Sequence, residues 1–192
     1  MKKGKQIYEG KAKKVYRTDD QRFLIVSYKD DATAFNGLKK GTIAGKGVIN
    51  NKMSNLLMQR LEKAGVPTHY VTELSDRETL VKKVSIVPLE VIVRNIAAGS
   101  FSKRYGVEEG IVFASPTVEF SYKNDDLGDP LLNQAHAVAM HLATTEEMET
   151  IKKYAFAVNE ELKRFWAECG VTLVDFKLEF GRFEGEVLLA DE

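Results

Sequence analysis

Asp175, Lys177 and Glu179 occupy alternate positions of Leu173-Val174-Asp175-Phe176-Lys177-Leu178-Glu179-Phe180-Gly181, with Val174, Phe176, Leu178 and Phe180 between them. A period of two is that of a strand with one buried face. The three charges then share the other face at a spacing of about 6–7 Å. A carboxylate, an ammonium and a carboxylate in one row can hold a divalent cation and a phosphoryl group together. Carboxylate oxygens suit Mg²⁺, and a lysine neutralises phosphoryl oxygens. The same row also describes a solvated strand whose charges neutralise one another.

The residues that follow bear on this choice. Gly181-Arg182-Phe183-Glu184-Gly185-Glu186 leads into the apolar run Val187-Leu188-Leu189-Ala190-Asp191. A three-residue loop, Phe183-Glu184-Gly185, predicts a hairpin closed by a bulge. That register sets Arg182 against Glu186, Glu179 against Leu189 and Lys177 against Asp191, adding Asp191 to the charged face. A slip of one residue would send it to the opposite face.

Two further stretches carry weaker signals. Tyr8-Glu9-Gly10-Lys11-Ala12-Lys13 reads as a glycine turn between strands, which can cover a nucleotide's phosphates with Lys11 and Lys13 as countercharges. It reads equally as an ordinary hairpin. Arg94 ends the strand-like run Leu89–Val93, and Ser100 precedes a short helix, so the two suit an anion; a plain helix cap beside a strand-end arginine fits as well. His69, His136 and His141 have no companions at metal-ligand spacing. Cys169 falls on the apolar stripe of a helix and is expected in the core.

The elements that must position these residues follow from periodicity. Strands are predicted at Ile7–Tyr16 around Gly10, at Phe23–Tyr28, at Leu80–Val84 and at Leu89–Val93, with Pro88 interrupting the last two. Asp30–Gly47, with Gly37, Gly41, Gly45 and Gly47, reads as a mobile loop without a Walker ending. Ile49, Met53, Leu56, Leu57, Leu61 and Ala64 form a helical stripe over 48–64, read as core. Gly110–Lys123 reads as strand and turn before the acidic loop Asn124–Pro130. Thr144-Thr145-Glu146-Glu147 is a capping box opening the longest helix, whose stripe runs from Met148 through Ile151, Ala155, Val158, Leu162 and Phe165 to Cys169.

The chain has 192 residues, with 28 lysines and arginines balancing 28 aspartates and glutamates. A zero net charge argues against nucleic-acid or membrane-surface partners, which want a basic excess. One cysteine excludes an internal disulfide and suits a reducing cytoplasm. Neither a signal peptide nor an apolar run of membrane-spanning length is evident.

Leu89-Glu90-Val91-Ile92-Val93-Arg94-Asn95-Ile96-Ala97-Ala98-Gly99-Ser100 and Leu173–Gly181 resemble the two signatures of the SAICAR synthetase family. Tyr8–Lys13, Asn50-Asn51 and Lys123–Pro130 resemble it too, so the likeness spans the chain. It implies an α+β, two-lobed fold similar to ATP-grasp enzymes and kinases. Residues 1–84 would form an antiparallel ATP-binding lobe with the glycine turn, and 85–192 a larger α+β lobe with the substrate and metal site. The implied reaction joins the carboxylate of carboxyaminoimidazole ribonucleotide to the amine of L-aspartate, with ATP as co-substrate, Mg²⁺ as cofactor and an acyl phosphate between.

The resemblance also implies roles. Gly10, Lys11 and Lys13 would hold ATP phosphates, and Lys82 and the backbone near Ile86 would meet adenine. Glu179 and Asp191 would bind the metal, Lys177 would stabilise the transferring phosphoryl group, and Asp175 would orient the nucleotide substrate. Arg94 and Ser100 would take the ribonucleotide phosphate, and Lys123 and Asp129 the aspartate or the sugar. A cytoplasmic homodimer or larger assembly is implied. The family pattern continues past Ala190-Asp191-Glu192 into a Ser-Pro-Asp segment, a further phosphate-binding arginine and a helix, which this chain is expected to lack. A kinase-like phosphotransferase would need an HRD-like loop, which is not found. A non-catalytic nucleotide-binding module would not need the full charged row.

Overall fold

The computed structural model describes residues 1–34 and 39–191. The chain is α+β with antiparallel sheets and divides into two compact units, Met1–Lys63 with Thr68–Val84, and Ala64–Pro67 with Ser85–Glu192.

The first unit contains β1 (Lys3–Glu9), β2 (Lys13–Thr18), β3 (Phe23–Tyr28), β4 (Asp31–Ala34), β5 (Lys39–Thr42), α1 (Lys46–Lys63), β6 (Tyr70–Ser75) and β7 (Glu78–Lys82). Its sheet runs β1-β2-β3-β7-β6, all antiparallel. The stretch read as a mobile loop instead includes a β4–β5 hairpin and the start of α1; Gly37 lies outside the described residues.

Helix α1 packs against β3, β6 and β7, but of its predicted stripe only Leu61 is buried and Leu57 half-buried. Ile49, Met53 and Leu56 are exposed, whereas Gly47, Asn51, Ser54, Asn55, Met58 and Leu61 are buried. Hydrogen bonding makes the polar face the buried one. Thr79 Oγ1 lies 2.7 Å from Asn51 Oδ1 and 2.8 Å from Asn55 Oδ1, while the two amide nitrogens donate to Ser75 O and Glu73 Oε2. A polar group buried with its partners in place carries little of the penalty that periodicity arguments assume.

The N-terminus of α1 is fixed by Asp30, which accepts from Gly47 N at 2.8 Å and from Arg77 through both carboxylate oxygens. Only glycine fits there, because a Cβ on Gly47 would lie 2.6 Å from Arg77 Nη1 and 2.7 Å from the Tyr28 carbonyl oxygen. The Arg77 hydrogen bonds, and after them the Gly47 amide, hold the Asp30 carboxyl well below the usual carboxylate range.

The second unit contains β8 (Ser85–Ile96), α2 (Gly99–Tyr105), β9 (Val112–Tyr122), β10 (Leu131–Leu132), α3 (Gln134–Ala139), α4 (Thr145–Glu168), β11 (Asp175–Phe183) and β12 (Glu186–Asp191). Its antiparallel sheet runs β10-β9-β8-β11-β12. Pro88 does not interrupt β8: the strand runs through it, and the β8–β11 register shifts there, between Glu179↔Glu90 and Gly181↔Ile86. A register irregularity tolerates a residue without an N–H.

Leu89, Val91 and Val93 of β8, Phe120 of β9 and Leu178 and Phe180 of β11 are buried on one sheet face. Helix α4 packs against β8 and β12 with Met148, Ile151, Ala155, Val158 and Leu162 buried. Its capping box is formed by Thr144 and Glu147. The stripe stops short of its predicted end, because Cys169 is the exposed C-cap and not a core residue. Asn159 of α4 exchanges two amide hydrogen bonds, of 2.8 and 3.0 Å, with Asn95. That part-buried pair ties α4 to the end of β8.

Candidate active site

Three antiparallel strands place most of the candidate side chains of the second unit on one sheet face. On β8, Glu90, Ile92 and Arg94 alternate with the buried valines. Across from them lie Glu179, Lys177 and Asp175 of β11 on one side, and Ser121, Glu119 and Thr117 of β9 on the other. Directly paired residues in an antiparallel sheet point the same way. The charges that alternate along β11 therefore meet a matching set on β8 and β9.

At one end of this face two carboxylates and two ammonium groups form a cluster. Glu179 Oε1 accepts from Lys123 Nζ at 2.7 Å and from Lys177 Nζ at 2.9 Å, and Lys177 Nζ also donates to Glu90 Oε1 at 2.7 Å. Glu179 is 5% exposed, whereas Asp175 and Lys177 of the same row are exposed, so the row is solvated at those two positions and buried at Glu179. Burial works to lower the pKa of both lysines, but the hydrogen bonds and charges of Glu179 and Glu90 outweigh it and hold both above the ordinary lysine value.

Asp191 reaches this face by a route different from the predicted one. The hairpin closes on two residues, Glu184 and Gly185, both with positive φ (51° and 87°), so Phe183 pairs with Glu186 and Arg182 with Val187. Two positive φ values in a two-residue loop are those of a type I′ turn. The pairing is thus one residue off the predicted register. Between Phe180↔Leu189 and Glu179↔Asp191 the ladder shifts again, leaving Ala190 as an extra residue. This bulge returns Asp191 to the charged face, opposite Glu179 and not Lys177. Arg182 turns away from Glu186 and pairs with Glu147 of the α4 capping box and the Leu142 carbonyl.

At the other end of the face Arg94, 5% exposed, forms a close ion pair with Asp175 and donates to the Ala98 carbonyl at 3.1 Å. Ser100 is not the helix cap: Ala98 is the N-cap of α2, and Ser100 is exposed in the first turn. Asp129, with φ 49°, accepts from Asn124 N at 2.8 Å and so closes its own loop. Ile86 lies on β8 opposite Gly181.

The first unit presents the glycine turn between β1 and β2, where Gly10 N donates to Lys13 O at 2.8 Å. Lys11 is exposed, and the Lys13 ammonium lies 5.1 Å from the Tyr28 ring centroid. Lys29, which periodicity does not single out, braces this turn by pairing with Glu9 at 2.7 Å and Asp31 at 2.6 Å. Lys82 Nζ donates to the Thr68 carbonyl at 3.0 Å.

Sequence reasoning missed Glu90, Glu119 and Arg104 as members of the charged face. Glu90 had a legible signal, a lone acid in an apolar strand in phase with Arg94. Glu119 and Arg104 had none, because their 2.7 Å ion pair joins β9 to α2. Among the described residues no three His, Cys, Asp or Glu side chains gather at metal-binding distance, and no helix is long and apolar enough to cross a membrane.

The chain is similar to known proteins over nearly its whole length. The SAICAR synthetase family profile matches residues 6–192. Phosphoribosylaminoimidazole-succinocarboxamide synthase of Lachnoclostridium phytofermentans is 63% identical over all 192 residues, which span 82% of that protein. The enzyme of the same name from Caldanaerobacter subterraneus is 59% identical over the same share. Among solved structures, the Ehrlichia chaffeensis phosphoribosylaminoimidazole-succinocarboxamide synthase superposes with a TM-score of 0.93 at 43% identity, covering 98% of this chain and 81% of that one. A SAICAR synthetase (Type-2) in complex with ADP gives a TM-score of 0.92 at 45% identity, covering 96% and 79%.

Proposed function

The chain belongs to the SAICAR synthetase family, and from that premise we propose that the charged face of its second unit is where the ligation takes place. The chain is an ATP-dependent ligase of purine biosynthesis, joining an aminoimidazole carboxylate ribonucleotide to L-aspartate. A carboxylate does not react with an amine at neutral pH, because its oxygen does not leave. In the proposed sequence a carboxylate oxygen attacks the γ-phosphorus of ATP, the bond to the β-phosphate oxygen breaks, and ADP departs. The aspartate amine then attacks the acyl carbon, the C–N bond forms, phosphate leaves and the amine gives up a proton.

The protein's share is positioning and charge neutralisation. The observation that carries the reading is the single face holding Arg94–Asp175 at one end and Lys177, Lys123, Glu179 and Glu90 at the other. Arg94, with Ser100, suits the ribonucleotide phosphate, and Asp175 orients the same substrate. Lys177 faces the transferring phosphoryl group, and Lys123, with Asp129, the aspartate or the sugar. Lys11 and Lys13 beside Gly10 suit the ATP phosphates, and Lys82 and the backbone at Ile86 the adenine. For Mg²⁺ the donor set fits: Glu179 and Asp191 are paired hard oxygen donors on adjacent strands, and Mg²⁺ is ordinarily held by one or two carboxylates plus substrate phosphates. When bound, it would neutralise phosphate charge. We also place the enzyme in the cytoplasm as a homodimer or larger assembly, a reading that the family resemblance and the single cysteine support.

The test is ADP release with and without each substrate. Sustained release should require both the ribonucleotide and L-aspartate, and the ribonucleotide alone should give a single-turnover burst of ADP. Release that ignores aspartate would favour a phosphotransferase, and none under any condition a binding module.

A further inference from the structure

Arg94 faces two carboxylates that hold it in different ways. Asp175 is a close partner whose side chain is 37% exposed, and Glu119 is a distant one, 10% exposed, with its Oε2 3.9 Å from Arg94 Nη2. That separation is too long for a hydrogen bond. Both Glu119 Oε2 and Arg94 Nε are buried without a hydrogen-bond partner. The other Glu119 oxygen, Oε1, accepts from Arg104 Nη1 of α2 at 2.7 Å. The four groups alternate in charge, Asp175, Arg94, Glu119, Arg104, and sum to zero.

A buried acceptor and a buried donor without partners are each costly, and Arg94 does not close on Glu119 while its Nη1 is committed to Asp175 and the Ala98 carbonyl. An incoming phosphate dianion competes with Asp175 for Arg94 Nη1, the nitrogen that Asp175 and the Ala98 carbonyl share. Asp175 is the partner that can leave, since its carboxylate already meets water. Glu119 cannot leave, because Arg104 holds it and no water replaces the lost bonds. We propose that Glu119 is a positioning residue for the substrate phosphate site, taking up Arg94 when the ribonucleotide displaces Asp175, and that Arg104 acts only through Glu119. This rests on the reading of Arg94 as the phosphate-binding arginine.

The experiment is steady-state kinetics with the ribonucleotide and ATP varied separately, alongside thermal melts. Glu119→Gln should raise the KM for the ribonucleotide about tenfold, the scale of one charged contact, with kcat within about twofold and the KM for ATP unchanged. Glu119→Asp should recover part of the loss. Arg104→Met should show the same pattern more weakly, and the double variant should be no worse than Glu119→Gln alone. An unchanged or lowered KM in Glu119→Gln overturns the proposal, since Glu119 would then only neutralise Arg94. A larger effect of Arg104→Met than of Glu119→Gln overturns it too, because Arg104 would touch the phosphate itself. So does a joint fall of kcat and melting temperature in both Glu119 variants. Arg94→Ala is measured in parallel. If it leaves the ribonucleotide KM unchanged, the reading of the phosphate site falls and the proposal with it. If it raises that KM while Glu119→Gln does not, the proposal alone falls.

Discussion

Replacing Glu179 by glutamine separates the fold from the chemistry of the charged cluster. The side chains are nearly isosteric, and the amide oxygen still accepts hydrogen bonds from Lys123 and Lys177. What is lost is the carboxylate charge in two bonds, of 2.7 and 2.9 Å. Both bonds keep their ammonium charge and so fall only toward the lower end of the about 1.5–3 kcal/mol of charged hydrogen bonds, a gross loss of about 2 kcal/mol over the two. Two effects reduce it. The lysine side chains are 43% and 41% exposed and recover hydration, and an amide costs less than a carboxylate to bury. About 1 kcal/mol remains, a fall in melting temperature of about 2–4 °C for a chain of this length. Turnover should fall far more, because one of the two carboxylates that suit Mg²⁺ is gone while two ammonium groups stay. A loss of about 3 kcal/mol of transition-state stabilisation corresponds to more than a hundredfold in rate. The assay is turnover against Mg²⁺ concentration, paired with a melt of each protein. Activity within a few-fold of wild type at low Mg²⁺ would refute the metal assignment. A melting temperature lowered by more than about 10 °C would instead make Glu179 structural.

Other perturbations test other parts. Lys13→Ala should weaken ATP more than the ribonucleotide in calorimetric titrations, and equal losses would remove Lys13 from the nucleotide site. Gly47→Ala should destabilise by about 1–3 kcal/mol in urea unfolding, since the new Cβ meets the Tyr28 carbonyl, which cannot step aside; unchanged stability would mean that α1 shifts freely. Asp30 has a carboxyl pKa depressed in the fold, so its contribution is present above the unfolded value near 4 and is lost as pH falls below it. Arg77→Met should therefore flatten the stability profile between about pH 4 and pH 2, and melts across that range would show whether it does.

Much of the charged face was legible because period two survives in sequence. Asp175, Lys177 and Glu179 alternate with buried apolar residues, and Glu90, Ile92 and Arg94 do the same on the neighbouring strand. What joins them was not legible. Lys123 is 56 residues from Glu179, and nothing in either segment names the other. The hairpin register was missed because glutamate at the first loop position, with φ 51°, hides a turn that asparagine or aspartate usually announces. The buried face of helix α1 was misread everywhere but at Leu61 and Leu57, because hydrophobic periodicity weighs side chains singly. It cannot see that Thr79, Ser75 and Glu73 bond the asparagines on the polar face.

The extra residue at Ala190 has a consequence for anyone redesigning this chain. A procedure that rewards ladder regularity would straighten the bulge at constant length, pairing Ala190 with Glu179 and removing the irregular step from the β11–β12 hairpin. With the chain length unchanged, Asp191 would then lie opposite Leu178, on the side that faces α4, and a carboxylate would enter an apolar layer. The idealised hairpin would thus be less soundly folded and inert. Irregularity here acts as a frame-shift corrector for side-chain direction, and among single-residue deletions along β12 the best tolerated should be that of Ala190, which keeps Asp191 opposite Glu179.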